Sequence, residues 1–231
     1  ADRSKIINAL TNAVRNGKQV TVVLELRARF DEEANLEWKT ELEENGVKVL
    51  LGVPNVKVHA KICLIKKRVN NRTIHYGFVS TGNLNETSDR NIMADVNRLF
   101  NYLEQPKTRE VLLKSCKTLL VSPTGMRRHL LQMINKEIKT ARLKKPASII
   151  LKLNSLSDEM LIDKLYEAAK SGVEIKLIIR GIFCMLTENK KFKIPVQAIS
   201  IVDEYLEHSR IMIFHNGGKE RTFISSADWM V

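Results

Sequence analysis

The feature that most constrains this chain is a plan that occurs twice. From Lys5 to Arg15 the apolar residues Ile6, Ile7, Leu10, Ala13 and Val14 fall at helical spacing, the pattern stops at Asn16-Gly17, and an apolar strand runs from Val20 to Leu26. From Ser157 to Ala169 the plan returns, with Leu161, Leu165, Ala168 and Ala169 on one helical face, a stop at Ser171-Gly172, and a strand from Val173 to Ile179. A helix feeding a buried strand, twice over, points to an α/β fold.

Each unit leads into a strand pair. In the first, Val56 to Leu64 alternates, so that Val56, Val58, Ala60, Ile62 and Leu64 share one face and His59 and Lys61 the other. A turn around Asn70-Asn71 and a return strand from Ile74 to Val79 follow. In the second, His208 to Phe214 is followed by Asn216-Gly217-Gly218, a hairpin signal, and a return strand from Thr222 to Ser225. Both return strands end in a small polar loop, Ser80-Thr81-Gly82-Asn83 and Ser225-Ser226-Ala227-Asp228. The intervals from 59 to 83 and from 208 to 228 differ by four residues, which predicts a longer hairpin loop in the first half. Helical stretches at Asp95 to Leu103 and Met126 to Ile138 flank Gln105-Pro106 and Ser122-Pro123, which puts the boundary near Val121: one lobe over 1–121 and a second over 122–231.

A histidine and a cation two residues apart, with a polar loop beside them, suit phosphoryl chemistry. The nitrogen can attack phosphorus, while the ammonium and amide bind its oxygens. Two such sets suggest halves that face one another, one imidazole attacking and the other protonating the departing oxygen. An ordinary histidine pKa near 6.5 keeps both forms accessible at neutral pH. Arg29, Lys61, Arg180 and Arg210 follow or flank the core strands and are assigned as phosphate clamps. Asp228 cannot donate a hydrogen bond as Asn83 can, and is expected to orient His208 or a cation.

Composition narrows the partners. A formal charge of +12 favours polyanions, while an aromatic content of 6% gives little stacking equipment for single-stranded nucleic acid, so nucleic acid is not the expected partner. No apolar run is long enough for a membrane span, and Cys63, Cys116 and Cys184 read as reduced core residues. A cytoplasmic setting is expected, with association at an acidic membrane surface open to so basic a chain. Taken alone, His75, His129 and His215 read as surface or boundary residues. Arg127 and Arg128 read as a solvated helix face, and Asp31 to Glu33 as a charged helix start.

The paired His-x-cation sets resemble the phospholipase D superfamily, and VTVVLELRARFDEEAN (21 to 36), VHAKICLI (58 to 65), STGNLNE (80 to 86), LVSPTGMRRHLL (120 to 131), AISIVDEYLEHSRIMIF (198 to 214) and ISSADWM (224 to 230) resemble its polyphosphate kinase branch. The resemblance implies two phospholipase D-like lobes, each a mixed sheet flanked by helices and related by internal duplication. It makes His59 the phosphorylated residue and His208 the general acid and base. Arg29 then belongs to a magnesium-phosphate site and Arg180 contacts nucleotide or phosphate. A guanidinium cannot ligate Mg²⁺, so Arg29 is expected to touch a phosphate that the ion bridges. The implied partners are ATP or ADP and inorganic polyphosphate, with Mg²⁺ arriving on ATP. Two further domains before this stretch, more chain after it, and a homo-oligomer of the whole enzyme are also implied. Ile92 stands where many relatives have a tyrosine, and Phe78 where some have another histidine. A phosphodiesterase of the wider superfamily and a polyanion-binding fragment without activity of its own are the alternatives.

Overall fold

The computed structural model describes residues 4–25, 32–54, 56–80, 89–106, 111–202, 204 and 206–230. The chain divides into two compact units, Ala1–His59 with Asn97–Leu112, and Ala60–Val96 with Leu113–Val231. The first hairpin belongs to the same unit as the second half of the chain.

The first unit carries helix α1 (Lys5–Arg15), strand β1 (Thr21–Leu24), helix α2 (Glu32–Glu44) and strand β2 (Lys48–Leu51). The α1 stop works as expected: Gly17 takes a left-handed φ of +71° and its N–H returns to the Val14 carbonyl at 2.8 Å. β1 and β2 pair in parallel from Thr21 opposite Lys48 to Leu24 opposite Leu51. Beyond β2, the Val56 N–H closes back on the Val53 carbonyl, and the Val58 N–H donates to a Glu25 carboxylate oxygen at 2.6 Å. Side-chain alternation from Val56 onward therefore does not make a strand there.

In the second unit, β3 (Lys61–Val69) and β4 (Arg72–Ser80) form an antiparallel hairpin, in register from Lys61 opposite Ser80 to Val69 opposite Arg72. Asn70 and Asn71 both have positive φ, 47° and 58°, the backbone that a two-residue hairpin turn with right-handed strand twist demands and that asparagine tolerates. Helix α3 (Arg90–Glu104) follows, in this unit as far as Val96 and in the first unit from Asn97, its first N–H groups capped by Asp89, which accepts from Asn91 and Ile92. Buried Asp95 on α3 accepts from the N–H groups of Lys117, Thr118 and Leu119, tying the connecting segment to that helix just after the short helix α4 (Val111–Lys114).

The largest core lies in the rest of this unit. Helix α5 (Met126–Arg142), strand β5 (Ser148–Leu153), helix α6 (Glu159–Ser171), strand β6 (Glu174–Ile179), strand β7 (Gln197–Ile199), strand β8 (Arg210–Phe214) and strand β9 (Arg221–Ser225) follow in chain order. The sheet runs β7-β6-β5-β8-β9, parallel from β7 to β5 and antiparallel from β5 through β8 to β9. Burial alternates along β5 and β6, so Ile149, Leu151, Leu153, Ile175, Leu177 and Ile179 are buried with Leu130, Ile134 and Ile138 of α5 and Leu161, Leu165 and Ala168 of α6. Asp158 caps α6 by accepting from the Leu161 N–H, and Gly172 ends it in the left-handed conformation with φ +95°.

Three expectations change. The first hairpin strand begins at Lys61 rather than Val56, so His59 precedes the strand instead of lying on its face. The four-residue difference between the halves comes from longer strands joined by a tighter turn, with nine-residue β3 and β4 against five-residue β8 and β9, not from a longer loop. Cys184 is exposed and Cys63 and Cys116 are half-buried, so none of the three is a fully buried core thiol.

Candidate active site around His208

The second hairpin places its histidine just before the strand, as the first does. His59 comes two residues ahead of β3, and His208 two residues ahead of β8. The cation that opens each strand pairs in register with the serine that ends the return strand, Lys61 with Ser80 and Arg210 with Ser225. The two sets thus occupy equivalent positions in two hairpins.

Around His208 the side chains are tightly specified. Arg210 is only 4% exposed, and its Nη2 donates to Asp228 Oδ2 at 2.8 Å. The other carboxylate oxygen of Asp228 accepts from the backbone N–H groups of Asn154 at 2.8 Å and Ser155 at 3.1 Å, where the chain leaves β5. Asp228 is itself fixed by the residue after it: Trp229 is buried, its carbonyl accepts from Ser157 and Asp158, and its indole N–H approaches the sulfur of Met212 at 3.3 Å. Nη1 of Arg210 donates to the His208 carbonyl at 3.1 Å and lies 3.4 Å from both ring nitrogens. A guanidinium only donates, so a ring nitrogen can accept from it only with its lone pair bare. That contact and the electrostatics agree. Burial depresses the His208 pKa, the positive charges of Arg210, Arg180 and Lys61 add to the depression, and Asp228 opposes it. Three of the four charges acting on the imidazole are positive and disfavour its protonation.

A second tie reaches the same segment from β5. Lys152 forms an ion pair with Glu207 and donates to the Ser209 hydroxyl at 2.6 Å.

Arg210 touches His208 and bonds Asp228, and the charges of Arg180, Asp228 and Lys61 act on the ring. His59 is exposed and closes the other compact unit, and Arg29 and Asn83 lie outside the described residues. Asp228 orients a cation, Arg210, as one of its two expected roles requires. Arg127 and Arg128 are exposed on α5, in keeping with a solvated helix face, and Arg127 also pairs with the buried carboxylate of Asp158, the cap of α6, at 2.7 Å. His129 bonds the Gly125 carbonyl and His215 accepts from the Gly218 N–H, local turn contacts in keeping with a structural reading. Among the described residues no cluster of three His, Cys, Asp or Glu side chains could hold a metal ion, and no helix is long and apolar enough to cross a membrane. Sequence reasoning missed Lys152, Trp229, Glu207 and Ser209. Only the His208 flanks offered a signal, because Lys152 meets them through the β5–β8 pairing.

Residues 1–109 match the family model for polyphosphate kinase C-terminal domain 1, and residues 119–231 that for C-terminal domain 2. This chain belongs to the polyphosphate kinase family. Over its whole length it is 43% identical to the polyphosphate kinase of Escherichia coli K12 and 45% identical to that of Klebsiella pneumoniae, spanning 35% of each relative. A crystal structure of polyphosphate kinase from Porphyromonas gingivalis superposes with a TM-score of 0.83 at 38% identity, covering 100% of this chain and 40% of that one. The chain therefore spans about a third of the curated polyphosphate kinases it matches.

Proposed function

We propose that this part of a polyphosphate kinase carries the phosphoryl-transfer chemistry between ATP and inorganic polyphosphate, through phosphorylated His59 and with His208 as acid and base. The observation that carries the reading is Arg210, anchored by Asp228, held against His208, with the positive charges of Arg180 and Lys61 acting on the same ring. A polyphosphate or nucleotide tail entering that cluster offsets the cations, which raises the His208 pKa and draws a proton onto the ring. The protonated ring can then supply the proton to the leaving oxygen as the nitrogen–phosphorus bond to His59 forms and the phosphoanhydride bond breaks. In the return step the chain-end oxygen attacks the phosphohistidine, that bond breaks, and neutral His208 is ready to take the proton.

Lys61 and Arg180 are assigned to the phosphate oxygens, with Asn83 and Arg29 expected beside them. Arg210 is already committed to Asp228 and the His208 carbonyl, so its share in phosphate binding comes through its charge. Mg²⁺ carried on the nucleotide phosphates would spread the charge of the transferring group, and its ligands would be phosphate oxygens rather than a carboxylate cluster of this chain.

The test is ATP-driven polymer formation by the intact enzyme, with its reverse. Wild type is expected to make polyphosphate and to form ATP from polyphosphate and ADP, and His59→Ala to do neither. Diester hydrolysis without either activity would favour the phosphodiesterase alternative.

A further inference from the structure

We propose that Lys152 is a positioning residue that holds His208 at the reacting phosphate by bracing the residues on either side of it. The proposal rests on the acid–base role of His208 given above. Lys152 sits on β5, opposite Ile211 of β8, and only 16% of its side chain is exposed. From there its ammonium engages both neighbours of the histidine, the Glu207 carboxylate and the Ser209 hydroxyl.

The brace matters because the backbone offers little support at this point. The β8 ladder begins at Arg210, and among the described residues neither Glu207 nor His208 enters a backbone–backbone hydrogen bond. The position of the imidazole therefore depends on side chains: Arg210 holds the His208 carbonyl, and Lys152 holds residues 207 and 209. Arg210 and Asp228 already form one closed pair, so the Lys152 tie is the second, independent support. Its position three residues along β5 from the buried Ile149, at the same end of the strand as Asn154 and Ser155, whose N–H groups hold Asp228, puts both supports on one strand end. The charged groups acting on His208 are Arg210, Arg180, Lys61 and Asp228, with the Lys152–Glu207 pair beside it.

Lys152→Met keeps the length of the side chain and removes its three donors. In the intact enzyme it is expected to lower kcat by about tenfold to a hundredfold, the scale of a misplaced catalytic group, with KM for ATP changed less than about twofold. Lys152→Arg should recover most of the loss, and Glu207→Gln combined with Ser209→Ala should reproduce it. The histidine ring resonances, followed by NMR across pH, give a readout independent of turnover: the His208 signal should shift or broaden in Lys152→Met while those of His129 and His215 stay in place. Unchanged kcat with an unchanged His208 signal overturns the proposal. A raised KM at full kcat overturns it too, since Lys152 would then bind ligand directly. If wild type itself makes no polyphosphate and labels no histidine, the functional reading fails, while the ring resonances still decide whether Lys152 positions His208.

Discussion

The two hairpins share a layout and differ in what supports it. β3–β4 is long, joined by two asparagines in left-handed conformation, and forms a two-stranded sheet. β8–β9 is short but belongs to a five-stranded sheet over the large core, and its cation is buried against a carboxylate. Both begin two residues after a histidine and put a cation opposite a serine. The common part concerns chemistry, and the difference concerns what holds it. An arginine 4% exposed needs a buried counterion, and Asp228 supplies it.

The largest effect should separate the histidines themselves. His59→Ala is expected to abolish phosphoenzyme formation, while His208→Ala should still form it and slow turnover by about 10²- to 10⁴-fold, the usual contribution of acid–base catalysis. Equal loss of phosphoenzyme in both would break the division of labour between the hairpins.

Next comes the buried cation of the second hairpin. Asp228→Ala strands the guanidinium of Arg210 and should cost about 3–5 kcal/mol of stability in urea unfolding. A loss within about 0.5 kcal/mol, the range of an ordinary surface substitution, would mean that this hairpin does not depend on the pair.

The turns give a smaller difference. Asn71→Ala puts an ordinary side chain at φ 58° and should cost about 1–2 kcal/mol, while Asn71→Gly should be close to neutral, as thermal melts would show.

The smallest effect is on titration. His208 has a folded pKa below its unfolded value, so as pH falls the unfolded chain takes the proton first. Its contribution to stability is whole above about pH 6.5 and is lost as pH drops from there through the lower folded pKa. Lys61→Met removes one of the depressing charges, so the His208 titration seen by NMR should move upward and the acid loss of stability should shrink. An unchanged titration would mean that Lys61 does not act on this ring.

Much of this was legible in the sequence wherever a local signal decides. Helix α1 has the expected ends, because periodicity and an Asn-Gly stop both act within a few residues. Asn70-Asn71 and Asn216-Gly217-Gly218 turn as their types suggest. The start of β3 was not legible, since alternation reports side-chain faces and says nothing of whether the backbone has a partner; Val58 finds one in Glu25 instead. The cation role of Asp228 could be narrowed to two options from its chemistry, but choosing Arg210 needed the buried anchor of Trp229. Lys152 left no trace because 55 residues separate it from Glu207, and only the sheet brings them together.

One experiment bears directly on the nucleophile. The intact enzyme would be exposed briefly to γ-labelled ATP, digested under alkaline conditions and its labelled peptide sequenced. Acid-labile label on the peptide that carries His59, absent from its alanine variant, is the predicted result; label on any other peptide, or none in an enzyme that still makes polymer, would contradict it.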